Sequence, residues 1–195
     1  MNLTLIGLSG AGKGTQADLL AQKYGLEHIS TGALFRSEFE KKSPEGLAAY
    51  EYWKNGKWVP DDVTFALLKL HLNKNQNGFI LDGFPRTVKQ SEVLDEYLQE
   101  NKKNLDLALY LKVSEEESLK RLRLRAIKDL TASGKSRLDE TDDVIKKRFK
   151  SFIESAQPVL KYYRASNRLV ELNGERSIVE IAADIEKNIK ERIKK

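Results

Sequence analysis

Cysteine is absent from the 195 residues. That removes disulfides, thiolate catalysis, CxxC redox chemistry and cysteine-held zinc. Histidine is nearly absent, with His28 and His71 the only two. A histidine-rich metal centre is excluded, as is most histidine-based acid–base chemistry, and both residues read as ordinary structural ones. Long hydrophobic runs are missing too. Stretches such as Leu105 to Leu111 fall far short of the roughly 18 residues that span a bilayer. No basic segment precedes the first apolar run, so Met1 to Ile6 reads as a buried strand and not as a secretory signal. Together these absences point to a cytoplasmic protein.

The excess of one charge sign is small: 34 Lys and Arg against 29 Asp and Glu, a net +5. The balance suits an anionic partner. Acids and bases are interspersed, however, and do not form the aromatic-rich basic patch of a nucleic-acid binder. Charged residues make up 32% and hydrophobic ones 40%, the profile of a soluble globular chain with a heavily charged surface. A chain this long can bury roughly 70% of its unfolded surface without staples. Its length amounts to about 1.3 typical domains, so one core with an appended lobe is expected.

Short apolar runs alternate with helical patterns. Strands are expected at Leu3–Ile6, 78–83, Leu105–Leu111 and 168–172. Ala17, Leu20, Ala21 and Tyr24 mark the face of a helix from Lys13 to Tyr24 that Gly25 stops. Ser114 with Glu117 and Ser177 with Glu180 form capping boxes; the second opens a helix striped by Ile178, Ile181, Ile185 and Ile189. A long helix carries Ile145, Phe149, Phe152, Ile153, Ala156, Leu160 and Tyr163 on one face, with a kink expected at Pro158. Strands separated by helices predict an α/β fold, a parallel β-sheet wrapped by helices. Two stretches break the alternation. Residues 31–73 read as a helical insertion, and 126–140 as a polar, mobile loop. The basic run Lys190–Lys195 reads as a frayed, solvated helix end.

The strongest local signal is Gly7-Leu8-Ser9-Gly10-Ala11-Gly12-Lys13-Gly14-Thr15, between a strand and a helix, the context of a phosphate-binding loop. Its glycines let successive amides converge on one centre, the helix N-terminus adds partial positive charge, and Lys13 reaches the outer phosphates. A base-reading Asn-Lys-x-Asp is missing; Asn101-Lys102-Lys103-Asn104 lacks the aspartate, which counts against a GTPase.

From Gly10-x-Gly12-Lys13-Gly14-Thr15-Gln16 onward the chain resembles the adenylate kinases, within the nucleoside monophosphate kinases. The likeness continues through Ile29-Ser30-Thr31-Gly32-x-x-x-Arg36, Gly56-Lys57-x-Val59-Pro60-Asp61 and Leu81-Asp82-Gly83-Phe84-Pro85-Arg86-Thr87. It returns at Arg121, Arg125, Arg137-Leu138-Asp139, Lys147-Arg148 and near Asn173, in order along essentially the whole chain. The resemblance implies transfer of the terminal phosphoryl group of MgATP to AMP, giving two ADP. It implies a phosphate-loop core of 1–30, 60–124 and 141–195, an AMP-binding lobe of 31–59, and a short lid of 125–140. Such chemistry needs in-line positioning and charge neutralisation with little covalent help, and a lid that excludes competing water.

By the same resemblance, Gly10, Ala11, Gly12, Lys13, Gly14 and Thr15 wrap the ATP phosphates. Arg121 lies against the ATP adenine, Arg125 closes on ATP, and the Arg176 backbone touches the adenine. Thr31, Arg36, Lys57, Trp58, Val59, Gly83, Arg86 and Gln90 serve AMP, with Arg36 and Arg86 on its phosphate. Arg137 and Arg148 bridge donor and acceptor, so Lys13, Arg86, Arg125, Arg137 and Arg148 form the catalytic set. Asp82 holds Mg2+ largely through water, with the Thr15 hydroxyl near it. Each role has a plainer rival. Arg123 reads as a surface residue; Asp82 could cap a turn. Thr87 and Gln90 also make a capping box, against which stands a base-binding Gln90.

Departures from the family pattern are Ser9 in place of a common proline, Arg176 in place of glycine or lysine, and eleven residues between Arg125 and Arg137. That lid is intermediate in length, and it cannot carry a cysteine zinc site. The expected partners are ATP, AMP and ADP, with no nucleic acid, no membrane and no zinc, for a monomeric enzyme. A UMP/CMP kinase is the near rival; Thr31 and Thr87 favour AMP. A non-catalytic nucleotide-binding regulatory module is a rival of another class, and it would be expected to lose Arg86, Arg137 or Arg148.

Overall fold

A computed structural model describes residues 1–72, 77–133 and 141–193. Five strands form one parallel sheet in the order β2-β3-β1-β4-β5. They are β1 (Asn2–Ile6), β2 (Glu27–Ser30), β3 (Phe79–Asp82), β4 (Leu107–Lys112) and β5 (Leu169–Asn173). The expected α/β fold, a parallel β-sheet wrapped by helices, is what the chain adopts. Every residue of β1 is buried, because the central strand is covered on both faces. Its side chains alternate. Leu3 and Leu5 join a core with α1 (Lys13–Tyr24) and α8 (Ile178–Arg192), while Ile6 joins a second core on the opposite face. That second core takes Phe65, Leu68 and Leu72 from α4 (Asp61–Leu72) and Leu94 and Leu98 from α5 (Val88–Glu100). It also takes Val159, Leu160 and Tyr163 from α7 (Asp142–Ala165). Buried Thr4 satisfies its hydroxyl by donating to the Phe84 carbonyl, 2.6 Å away, which ties the segment after β3 to the central strand.

Residues 31–59 contain α2 (Thr31–Glu40) and α3 (Pro44–Trp53). They build a small core of their own from Phe35, Ala49, Trp53 and Val59, with Phe39 stacked on Tyr50 at 4.3 Å. Ser43 caps α3, with Pro44 in its first turn.

Several expectations are corrected. β2 is a strand that the sequence reading lacks; as an edge strand it buries only Ile29. Residues 126–133 are not a loop: α6 (Glu115–Ser133) runs through them, and 134–140 lie outside the described residues, as do 194 and 195. Ser114 does accept from the Glu117 amide at 3.3 Å. The return half of that box fails, because Glu175 takes the Ser114 amide and Glu117 pairs with Arg121. Ile178 and Ile153 are about half exposed; the stripes that bury their helices are Ile181, Ile185 and Ile189 on α8 and Ile145, Phe149, Ala156, Leu160 and Tyr163 on α7. Among the described residues no helix is long and apolar enough to cross a membrane.

Parallel pairing puts all five strand ends on one edge of the sheet. The winding direction reverses between β1 and β4, and the crevice at such a point is where open α/β sheets bind ligands.

Candidate active site

The loop from Gly7 to Gly12 leaves the end of β1 and enters α1 directly. Gly12 caps that helix in the left-handed region, at φ 92°, without a side-chain cap, so amides of the first turn stay available to a ligand. Gly10 has φ 88°, and a Cβ there would lie 2.5 Å from the Ser118 carbonyl oxygen. Only glycine fits that conformation and lets α6 approach the loop.

Lys13 folds back over this loop. Its Nζ donates to the carbonyls of Gly7 and Leu8, both at 2.9 Å, and stands 4.0 Å from the Asp82 carboxylate. Burial pushes its pKa down; Asp82 pulls it up, and the charges of Arg86 and Arg125 push it down further. Three basic side chains from α1, the β3–α5 segment and α6 therefore converge here.

Arg86 is fixed from several sides. Its Nε donates to the Gly83 carbonyl at 2.6 Å, and its backbone N–H donates to Gln90 Oε1 at 2.6 Å. Burial, then repulsion from Arg148, lowers its guanidinium pKa to about 10, with Asp82 opposing. A half-buried cation whose charge its surroundings disfavour is the electrostatic signature of a site built for an anion.

Two adjoining cavities open around these cations, and Ser9, Trp58, Gly83, Arg86 and Arg148 line both. One, of about 490 Å³, also touches Gly7 and Lys13. The other, of about 610 Å³, reaches into the 31–59 lobe past Thr31, Arg36, Lys57, Val59 and Gln90. Thr31, Arg36, Lys57, Trp58, Val59, Gly83, Arg86, Gln90 and Arg148, all expected on the acceptor side, thus line one cavity. Gln90 both caps and faces this cavity. It is buried, donates to Asp61 Oδ1 at 2.6 Å, and its carbonyl takes the Arg86 amide, not the Thr87 amide of a standard box. Thr31 donates to the Asp82 carbonyl oxygen at 3.3 Å, and its hydroxyl lies so close to Gly83 that a Cβ there would approach to 2.7 Å.

On the other side of the loop, Arg121 bridges three elements. Nε pairs with Glu117 at 2.8 Å, and Nη1 donates to the Gly174 carbonyl at 2.8 Å and reaches the Ala11 carbonyl at 3.5 Å. Arg123 is exposed and pairs with Asp142, as a surface residue should. The Arg176 side chain turns toward α8, pairing with Glu180 and Asp184, so only its backbone stays with the Gly174 turn. Arg137 lies outside the described residues.

Asp82 ends β3 with its carboxylate facing the start of α1; a Cβ on Gly14 would be 3.7 Å from Oδ2. His28 Nε2 stands 4.0 Å from the same oxygen, while Nδ1 pairs with Asp18 at 2.8 Å. Among the described residues no group of three or more His, Asp or Glu could hold a metal. A single carboxylate such as Asp82 instead suits an ion that keeps water and substrate phosphate as its other ligands.

Two features escape sequence reading. Asp61, which anchors Gln90 and accepts from the Thr87 hydroxyl at 3.4 Å, carries a signal in the Val59-Pro60-Asp61 segment. Trp58 is expected at the acceptor site, but the contact of its ring with the Arg86 guanidinium carbon, at 3.9 Å, has no sequence signal.

Comparison with known proteins agrees with this geometry. Residues 5–168 match the family model described as adenylate kinase. An adenylate kinase from Clostridium botulinum (strain Loch Maree / Type A3) is 39% identical over an alignment covering 95% of the chain and 96% of that protein. Adenylate kinases of Clostridium tetani and Bacillus subtilis (strain 168) are 38% and 36% identical, each over 95% of the chain and 96% of the relative.

Proposed function

Since the chain belongs to the adenylate kinase family and transfers a phosphoryl group from ATP to AMP, giving two ADP, we propose that transfer takes place in the crevice between the phosphate loop and the 31–59 lobe. The observation that carries this reading is the pair of cavities sharing Arg86 and Arg148 as a common wall. Two facing polyphosphates repel each other, and bringing them in line needs cations between them.

In this reading the amides of Gly10 to Thr15 and the Lys13 ammonium take the ATP phosphates, with Arg121 and the Arg176 backbone against the adenine. Arg125 closes on ATP from the 125–140 lid. Arg36 and Arg86 bind the AMP phosphate, and Thr31, Lys57, Trp58, Val59, Gly83 and Gln90 complete that site. Arg148, with Arg137, spans the moving group, so its contacts strengthen as charge develops there. Residues 1–30, 60–124 and 141–195 act as the core that holds both sites. Asp82, with Thr15, would hold the magnesium ion that accompanies ATP, largely through water, and the ion would supply neutralisation of phosphate charge. No zinc is needed. The enzyme works as a cytoplasmic monomer on free nucleotides, without a nucleic-acid or membrane partner. The UMP/CMP kinase and regulatory-module readings are not favoured by the family match.

A coupled assay of ADP formation from ATP with AMP, CMP, UMP and GMP tests the assignment. AMP is the preferred acceptor. A higher kcat/KM for UMP or CMP would overturn the acceptor assignment, and no turnover with any acceptor would overturn the kinase reading.

A further inference from the structure

Trp58 lies in the segment between α3 and α4, half-buried, while the chain's only other tryptophan, Trp53, sits in the core of the lobe. The Trp58 ring centroid is 3.9 Å from Arg86 Cζ, well inside the ~6 Å range of a cation–π contact. A guanidinium stacks through its face and hydrogen-bonds through its edge, so the two interactions do not compete. Here the edge is anchored at Nε by the Gly83 carbonyl, and the guanidinium carbon lies over the indole ring. The geometry points to Trp58 as a positioning residue. Its indole holds the Arg86 guanidinium so that the Nη edge meets the acceptor phosphate.

Several observations support this. Trp58 and Arg86 both line both cavities, so the stack lies where donor and acceptor meet. Arg86 needs a partner on its face: burial and Arg148 both disfavour its charge, and a π face is the compensation that leaves the N–H groups for an anion. Rotation of the guanidinium about its Nε anchor is the remaining freedom, and a flat ring at stacking distance removes it. Loss of a cation–π stack costs from about two-fold at an exposed site to about thirty-fold at a desolvated one.

The proposal rests on the assignment of Arg86 to the acceptor phosphate, and its test separates the two. Trp58→Leu, Trp58→Phe, Arg86→Ala and the double variant Trp58→Leu/Arg86→Ala are compared in steady-state kinetics and in calorimetric titration with AMP alone. Melting temperatures identify any variant that fails to fold. Trp58→Leu is expected to raise the AMP KM and Kd two- to thirty-fold and to lower kcat, with the ATP KM little changed. Trp58→Phe recovers most of the loss, because a ring face is restored. In the Arg86→Ala background, Trp58→Leu has no further effect, since it acts through that arginine. Full additivity in the double variant would mean that Trp58 acts on the acceptor without Arg86, and would overturn the proposal. So would a Trp58→Phe protein that is folded yet as impaired as Trp58→Leu. An unchanged AMP KM in Arg86→Ala would instead overturn the assignment of Arg86 itself.

Discussion

Replacing Lys13 by methionine separates catalysis from folding. Its ammonium lies 2.9 Å from two loop carbonyls and 4.0 Å from Asp82, while burial, Arg86 and Arg125 all disfavour its charge. Removing it takes away charge-assisted hydrogen bonds worth about 1.5–3 kcal/mol each, and with them a desolvation cost of several kcal/mol. These oppose each other, so stability moves by about 1 kcal/mol or less, equivalent to about 2–4 °C in Tm for a chain of this size. Turnover responds differently. A preorganised donor aimed at transition-state charge costs about 2.7–4 kcal/mol when removed, or 10²–10³ in kcat. ADP formation measured beside a thermal melt gives both numbers on one preparation. A folded Lys13→Met protein with kcat within tenfold of the parent would refute the role given to the loop.

Arg36→Ala should raise the AMP KM more than the ATP KM, whereas Arg148→Ala should chiefly lower kcat, by about 10²-fold or more; initial rates over a two-substrate grid read the split. The Glu180 carboxyl is held down to about 2 from its ordinary 4.5, first by the Ser177 hydroxyl, then by Arg176 and the Ser177 amide. Its contribution is therefore complete above about pH 4.5 and is lost as pH falls toward 2. Glu180→Gln should flatten that part of the Tm–pH curve, and an unchanged acid limb would contradict the capping box. Chelation of magnesium should stop transfer, while a zinc-selective chelator should change neither rate nor Tm; a zinc-dependent melt would show that another metal site exists.

The most legible part of the chain is β1, the phosphate loop and α1. There a mostly apolar strand, a glycine run and a 3.6-residue stripe follow one another, and local preference agrees with tertiary context. Helix α1 ends at Gly25 in the left-handed conformation, as the glycine foretells. β2 is illegible because an edge strand that buries one side chain has no periodicity to show. Residues 126–133 are polar and carry half-exposed Ile127 and Leu130, so composition reads as loop where the backbone continues as helix. The Ser114 box has the right spacing, but Glu175, 61 residues away, reaches the amide that Glu117 should take. At the site, three of the arginines expected from motifs, Arg36, Arg86 and Arg148, do line one cavity. What motifs leave out are contacts made only on folding: the Gln90–Asp61 bond across 29 residues and the Trp58–Arg86 stack.

Two nucleotide sites facing each other across Arg86 and Arg148 are tested most directly by one ligand that fills both, two adenosines joined through five phosphates. Linking the halves makes the second binding event intramolecular, which can raise affinity by about 10²–10⁴ over either half without new contacts. Calorimetric titration in magnesium should give one ligand per chain, bound at least 10²-fold more tightly than ATP or AMP, and should abolish binding of both nucleotides together. Binding no tighter than that of ATP, with AMP still able to bind afterwards, would contradict a pair of facing sites.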